Sequence, residues 1–196
     1  MGGFFSIGIV YSGVMNVHRI EELIKYLKEN YNACSLSLEY SMNENGEYWE
    51  ETNQIITSTI ERFSRSYYGI MNLKVVFLGL DGLNLMIEKI ISKHFFGFLL
   101  CFRNDEIFLN KMDKEYIKIS VVNELIRMGE SLDFSYAIAG LDAEIEYSPD
   151  EFNSFKHLHS LSVIKNHGHY EIRHGEFQLD GISFQKEQVE VIMKST

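Results

Sequence analysis

Apolar and polar positions along the chain follow two spacings. Unbroken or alternating apolar runs rich in β-branched and aromatic residues predict strands, and they lie at Phe4–Tyr11, Cys34–Met42, Leu73–Leu80, Phe95–Phe102 and Phe134–Ala139. Apolar residues at every third or fourth position predict helices with one buried face. These helices span Asn16 to about Tyr31, about Tyr48 to Tyr68, Asp81–Ile91 and Val121–Met128.

The order of these elements predicts an α+β fold, in which amphipathic helices pack on a mixed β-sheet. The first two strands and the helix between them are typical of a β-α-β unit. After Phe95–Phe102, a turn at Arg103–Asp105 followed by Glu106–Leu109 indicates a hairpin, whereas Lys114–Ile119 fits either a strand or a helix.

Beyond Phe155 the chain consists of short runs separated by glycine-containing turns, which predicts a C-terminal antiparallel meander. The runs are Leu161–Lys165, His169–Arg173, Glu176–Leu179 and Ile182–Phe184. The last run, Gln188–Met193, fits either a strand or a helix. We expect a single α+β domain over residues 1–196, with 156–196 as a candidate β subdomain, because no linker separates the two parts.

The stretch Ala137–Phe152, AIAGLDAEIEYSPDEF, is the most tightly specified part of the chain. Ser148 is a predicted N-cap, Pro149 suits the first helical position, and Glu151 completes a capping box. Tyr147 and Phe152 are spaced to form a hydrophobic staple. These five residues therefore predict the start of a helix and need no functional explanation.

The same stretch alternates acidic and apolar residues. On an extended segment successive side chains point to opposite faces, so Asp142, Glu144 and Glu146 would share one face, opposite Ala143 and Ile145. Three interpretations are open: a charged strand edge that discourages aggregation, a docking face for a basic protein, and a divalent-metal or acid–base site.

Composition limits the classes of partner. The 196-residue chain has a formal net charge of −10, which argues against bare nucleic acid or an anionic membrane surface and suits a basic protein. Cys34 and Cys101 lie in apolar runs and are expected to be buried free thiols. The N-terminus lacks the basic residue of a signal peptide and no apolar run could span a bilayer, so we expect a cytoplasmic protein.

The common catalytic signatures GxxxxGK[ST], GxSxG, HExxH and CxxC do not occur. Histidines concentrate near the C-terminus in two pairs with i, i+2 spacing, which on strands could bind zinc together with a nearby carboxylate. The pairs are His157 with His159 and His167 with His169, and the carboxylates are Glu171 and Glu176. A metal-dependent hydrolase built on this segment is therefore one alternative.

Trp49 is the only tryptophan, and it lies among acidic residues near a predicted helix start. An aromatic ring among carboxylates can anchor a cationic partner. The other interpretation is a helix-end residue that folds onto the core.

Two passages resemble a known family. GLDAEIEYSPDEF at residues 140–152, and FFSIGIVYSG at residues 4–13 followed by an amphipathic helix, are similar to the immunity protein 64 family of bacterial polymorphic-toxin systems. The resemblance implies a protein without catalysis or a cofactor of its own. Such a protein binds a cognate toxin, often a nuclease, and blocks its active site or substrate path.

A nuclease needs a basic cleft to attract phosphate, so an inhibitor can imitate the polyanion with carboxylates on a rigid surface. We therefore predict that Asp142, Glu144, Glu146 and Trp49 bind the toxin. A metal-dependent hydrolase and a regulatory or scaffold domain are the alternatives.

Overall fold

The computed structural model describes residues 3–108, 113–154, 159–166, 168–175 and 188–193. In these ranges the strands are β1 (Phe4–Ser12), β2 (Cys34–Ser41), β3 (Glu50–Thr52), β4 (Tyr68–Phe77), β5 (Leu80–Ile91), β6 (Phe95–Arg103), β7 (Tyr136–Leu141), β8 (Leu161–Asn166), β9 (His169–His174) and β10 (Gln188–Met193). The helices are α1 (Val17–Tyr31), α2 (Thr57–Arg65), α3 (Asn104–Phe108), α4 (Lys114–Leu132) and α5 (Pro149–Ser154). No helix among the described residues is long and apolar enough to cross a membrane.

The described strands form one sheet in the order β10-β9-β8-β7-β1-β6-β5-β4-β2-β3. Each pair of neighbours is antiparallel. The predicted α+β class is confirmed. A mixed sheet was expected, whereas the described strands form an antiparallel one. β1 and β2 are not neighbours because β6, β5 and β4 lie between them, so the β-α-β unit does not exist as a pair of adjacent strands.

The two faces of the sheet are covered differently. On the face that we call the helical face, side chains such as Phe5 and Ile7 pack against the apolar residues of α1, α2, α3 and α4. On the opposite face, the outer face, a smaller cluster including Val10, Ile138 and Phe152 lies under α5 and the chain that precedes it. The main core therefore lies between the sheet and four helices.

The predicted helix over Asp81–Ile91 is wrong, because this part of the chain belongs to β5, an interior strand of the sheet. Leu85 and Ile87 are buried on the helical face at a spacing of two residues, whereas Met86 and Ile90 pack on the outer face. Apolar residues on both faces of one strand imitate the three-to-four spacing of a helix.

The predicted helix from Tyr48 to Tyr68 is also wrong in extent, since only Thr57–Arg65 is helical and Glu50–Thr52 forms the edge strand β3. The Thr59 hydroxyl accepts the Ile56 amide proton at 3.1 Å. This contact pairs a backbone donor at the helix start, which explains why the helix begins there.

The predicted hairpin strand Glu106–Leu109 is replaced by the short helix α3, and Leu109 lies outside the described residues. Asp105 and Glu106 lie in the first turn of α3, where carboxylates interact favourably with the helix dipole. The ambiguous run Lys114–Ile119 is helical, as part of α4, whose N-cap is Asp113.

The predicted helix Val121–Met128 is only the middle of α4, and the predicted strand Leu73–Leu80 overlaps only the second half of β4. The remaining predicted elements agree with the structure to within about two residues. In the C-terminal meander, β8 and β9 are confirmed and Gln188–Met193 is a strand, whereas Glu176–Leu179 and Ile182–Phe184 lie outside the described residues. Cys101 is a buried free thiol, as expected, but Cys34 is exposed because it begins β2 near the end of the sheet.

Residues 142–148, which we call the acidic segment, fold back across the outer face after β7. The chain reverses at Asp142, whose backbone is left-handed with a φ of 48°. Ala143 and Ile145 are buried in the outer-face cluster, whereas Asp142, Glu144 and Glu146 face solvent. The predicted alternation is present, although residues 143–148 form no strand.

Gly8 on β1 leaves room for Ile145 of the acidic segment. A Cβ at Gly8 would lie 2.9 Å from Ile145 Cγ1 and 2.8 Å from Ile138 Cγ1. We therefore expect Gly8→Ala to lower the free energy of unfolding by about 1–3 kcal/mol, as overpacking does elsewhere, in urea denaturation followed by circular dichroism.

A double variant checks the cause of this loss. If Ile145 packs on Gly8, the cost of Gly8→Ala combined with Ile145→Ala will be smaller than the sum of the single costs by about 1 kcal/mol. Strictly additive costs would show that the two positions are not in contact.

Candidate protein-binding surface

The three acidic side chains of the acidic segment have different surroundings. Asp142 Oδ1 accepts the Phe4 amide proton at 2.8 Å, and the Asp142 amide donates to the Phe4 carbonyl at 2.8 Å. Asp142 therefore joins the acidic segment to the start of β1. Within the described residues, Glu144 and Glu146 have no cation at ion-pairing distance, so their carboxylates are available to a partner.

Glu146 interacts electrostatically with His159 of the same molecule. Burial lowers the pKa of His159, whose ring stacks on Phe152 at 5.8 Å between centroids, and the charge of Glu146 partly opposes this shift. Glu146 thus lies near the start of β8, at the end of the acidic segment that leads into α5.

The helix start after the acidic segment has the predicted capping box. The Ser148 amide donates to Glu151 Oε2 at 2.9 Å, and the Glu151 amide donates to Ser148 Oγ at 3.3 Å. Hydrogen bonds from the hydroxyl and amide of Ser148 lower the pKa of Glu151. Phe152 is buried and stacks on Tyr136 at a centroid distance of 3.9 Å. These residues hold the segment in place and form no part of the candidate surface.

Trp49 lies on the surface, 46% exposed, in the loop before β3. Its indole nitrogen donates to the Gly46 carbonyl at 2.9 Å, and its ring lies 6.2 Å from that of Tyr68. The interpretation as a core residue at a helix end is therefore wrong. Tyr48 and Tyr67 are also exposed nearby in the chain, and we call Tyr48, Trp49, Tyr67 and Tyr68 the aromatic corner.

The structure does not bring Trp49 next to the acidic segment. Ile145 lies over Gly8 of β1, whereas the Trp49 ring lies beside that of Tyr68 on β4, which is three strands away. At about 4.8 Å per strand the two parts of the predicted site are roughly 14 Å apart across the sheet. A partner that contacts both would have to cover the outer face between them.

Three glutamates that no sequence pattern indicates also lie on the outer face, on β3, β2 and β5. Glu51 on β3 pairs with Glu39 on β2, Glu39 pairs with Ile70 on β4, and Ile70 pairs with Glu88 on β5. Residues directly opposite each other share a face of the sheet, so these side chains form one row on the outer face. We call Glu39, Glu51 and Glu88 the glutamate row.

In the part of the chain that the structure describes, the histidines and carboxylates of the metal alternative do not converge. No group of three or more His, Cys, Asp or Glu side chains suited to a metal occurs among the described residues. The Glu171 carboxylate accepts a hydrogen bond from Arg173 Nε at 2.5 Å, and the His159 ring stacks on that of Phe152. His157, His167 and Glu176 lie outside the described residues. The structure therefore gives this alternative no observation that favours it.

A buried carboxylate occurs on the helical side of the molecule, beside a cleft of about 440 Å³. Glu124 accepts the hydroxyl protons of Tyr26 and Tyr31 and pairs with Arg127. Burial, aided by Glu124, raises the pKa of both tyrosines. Since the partners of the carboxylate come from the chain itself, we assign this cluster to the packing of α1 against α4.

Comparison with known proteins agrees with the resemblance found in the two passages. The family model of immunity protein 64 matches residues 1–185, nearly the whole chain. No curated protein and no solved structure matches the chain. The match covers the acidic segment, the aromatic corner and the glutamate row. The chain belongs to the immunity protein 64 family.

Proposed function

We propose that the protein acts in the bacterial cytoplasm as a non-catalytic inhibitor, which binds and neutralises the cognate toxin of a polymorphic-toxin system. Membership in an immunity protein family supports the toxin-binding role. The observation that carries the choice of surface is the position of Glu144 and Glu146, which face solvent without a described cation nearby.

The charge of this surface favours a basic toxin, and a nuclease is the class that we propose. A nuclease cleft must carry positive potential to hold a phosphate backbone. Carboxylates on a rigid support can occupy such a cleft, where complementary charge speeds association and fixes orientation. Ile145, buried between Glu144 and Glu146, provides the rigid support.

Rescue in cells tests the function itself. The candidate toxin is the product of the gene adjacent to the one for this protein, expressed from an inducible promoter in a host that lacks both. Co-expression of this protein is expected to restore growth, and a complex should be recovered by affinity purification. Growth inhibition that persists although both proteins are produced would contradict the assignment for that toxin.

The acidic segment has its own test in the same system. We expect Glu144→Gln/Glu146→Gln to slow association with the toxin by about tenfold at low salt, and by less at high salt where charges are screened. Surface plasmon resonance measures both rates. Adding Asp142→Asn is expected to leave folding intact, because asparagine keeps the acceptor for the Phe4 amide and tolerates a left-handed backbone.

The matched control removes the same charge from the opposite side of the sheet. Glu21 on α1 and Glu61 on α2 are exposed and have no ion pair among the described residues. Glu21→Gln/Glu61→Gln should change the association rate by less than about twofold. Equal slowing by both double variants would mean that only net charge matters and would remove the acidic segment from the interface.

A further inference from the structure

We infer that the part of the outer face formed by β3, β2, β4 and β5 is a docking site for arginine and lysine side chains of the toxin. Its charged floor is the glutamate row and its wall is the pair Trp49 and Tyr68. This inference rests on the proposed function, since it names the surface and the partner chemistry of the same inhibitor.

Cross-strand register places the three carboxylates close together. Glu51 and Glu39 lie directly opposite each other on adjacent strands, and Glu88 lies two strands beyond Glu39 in the same row. With strands about 4.8 Å apart, the row measures roughly 15 Å. Like charges directly opposite each other destabilise a sheet, so this arrangement is unfavourable for folding unless a cation compensates it.

The strands themselves supply no such cation. Among the residues of β2, β3, β4 and β5, the only basic ones are Lys74 and Lys89. Lys74 lies two rows away, with its ammonium group 3.3 Å from the Gly82 carbonyl. Lys89 is buried on the helical face. Glu39 accepts a hydrogen bond from the neutral Asn72 side chain, which leaves the row negatively charged.

This part of the face is uncovered in the described structure. The apolar residues of α1 to α4 pack on the helical face, and the acidic segment with α5 lies over the central strands β1, β6 and β7. Glu51 and Glu88 are accordingly exposed, while Glu39 and Ile70 are half-buried by their neighbours on the sheet.

The aromatic wall is held by hydrogen bonds rather than by burial. The Trp49 indole donates to the Gly46 carbonyl at 2.9 Å, and the Tyr68 hydroxyl donates to the Glu44 carbonyl at 3.0 Å. Both rings remain more than two-fifths exposed. Rigid, exposed aromatic rings are typical anchors at protein interfaces, because little side-chain entropy is lost on binding.

Arginine fits these two features together. A guanidinium group can bond a carboxylate through two N–H groups and stack on an aromatic face at the same time. Phosphate-binding clefts are rich in such side chains. The site would therefore accept the side chains that the toxin uses to hold its own substrate. Trp49 and Tyr68 would stack on these side chains, and the glutamate row would pair with their charge.

Trp49 is the only tryptophan of the chain, so its fluorescence reports directly on this site. The probe is a nona-arginine peptide, titrated into the protein at low ionic strength. We expect a saturable change in Trp49 fluorescence, and a Kd about tenfold higher for Glu39→Gln/Glu51→Gln/Glu88→Gln. Trp49→Leu, measured by calorimetry because it lacks the reporter, should weaken binding about fivefold.

The control triple variant, Glu21→Gln/Glu61→Gln/Glu130→Gln, removes the same charge from exposed positions on the helices. It should change the Kd by less than about twofold. Equal weakening by both triple variants would overturn the inference, because it would show attraction by net charge alone. A peptide that binds without changing Trp49 fluorescence would also overturn it.

The two proposals can fail separately. If growth is not rescued but the peptide binds at the glutamate row, the docking site stands and the toxin assignment is wrong. If growth is rescued by the triple glutamine variant as well as by the wild type, and the peptide binds both equally, the protein is an inhibitor that uses another surface.

Discussion

Replacing Glu124 by alanine is expected to lower the free energy of unfolding by about 3–5 kcal/mol. The Glu124 carboxylate is buried between α1 and α4, where it accepts hydroxyl protons from Tyr26 at 2.7 Å and Tyr31 at 2.9 Å and pairs with Arg127. Without it, two buried hydroxyl groups lose their acceptor, apart from a weak contact of Tyr31 with the Met128 sulfur at 3.7 Å. Each unpaired buried group costs about 1–3 kcal/mol.

Two variants separate this effect from general loss of packing. Tyr26→Phe removes one hydrogen bond and leaves the carboxylate paired with Tyr31 and Arg127, so it should cost only about 1 kcal/mol. Arg127→Ala should also cost little, since the Arg127 side chain is half exposed. Urea denaturation at neutral pH measures the free energy of unfolding of these two variants and of Glu124→Ala. A cost for Glu124→Ala no larger than that for Tyr26→Phe would contradict the buried cluster.

The second large effect is a rise in stability between about pH 7 and pH 10 that depends on Lys89. Lys89 is buried, with 3% of the residue exposed, and its ammonium group donates to the carbonyls of Phe63 and Ser66 and to Ser66 Oγ, each at 2.6 Å. Burial lowers its pKa from 10.5 to about 7. It therefore binds its proton far more weakly in the folded protein than in the unfolded chain.

The sign of the effect follows from proton binding. Between about pH 7 and pH 10 the unfolded chain holds the Lys89 proton and the folded protein releases it, so the free energy of unfolding rises with pH. A full unit of pKa difference corresponds to about 1.4 kcal/mol, which gives a gain on the order of 3–4 kcal/mol across the window. Below pH 7 both states hold the proton and the contribution is constant.

Lys89→Met provides the comparison, because methionine has similar length and does not titrate. Urea denaturation at intervals from about pH 6 to pH 9.5 should show a slope for the wild type that is absent in the variant. The range ends there because burial raises the pKa of Tyr11, Tyr26 and Tyr31, and their ionisation in the unfolded chain lowers stability at higher pH. Parallel curves for the two proteins would show that Lys89 is solvated.

Lys89 also connects stability with the proposed docking site. It holds the carbonyl of Ser66, two residues before Tyr68 of the aromatic corner. Lys89→Met is therefore expected to loosen the end of α2 and to alter Trp49 fluorescence in the free protein. The same variant retains the whole glutamate row.

The starts of α1 and α5 could be predicted because their causes are local. Asn16 accepts the Arg19 amide proton at 3.1 Å, and Ser148 exchanges hydrogen bonds with Glu151 three residues later. Such contacts need no distant part of the chain. They are the same in an isolated segment and in the folded protein, so the sequence pattern indicates them directly.

β5 shows why periodicity alone was insufficient. Its apolar residues follow the burial of two faces, one under helices and one beside the acidic segment, and burial on both faces is a property of the assembled sheet. The local pattern of a strand buried on both sides resembles that of a helix. Contacts with residues far away in the sequence therefore decided that this segment is a strand and not a helix.

The candidate binding residues also fall into two groups, those that the sequence indicates and those that only the tertiary structure brings together. Alternation along one segment was enough to find Glu144 and Glu146. Glu39, Glu51 and Glu88 are separated by up to one-quarter of the chain, and only the pairing of β3, β2, β4 and β5 brings them into one row. No spacing in the sequence marks such a group.

By itself, the sequence determined the starts of α1 and α5, most of the apolar strands, the negative charge and the family of this protein. The tertiary structure alone decided the strand order, the exposure of Trp49 and the part of the outer face that stays uncovered. The reason is physical: capping bonds and side-chain alternation act over a few residues, whereas strand order depends on how the whole chain buries its apolar faces.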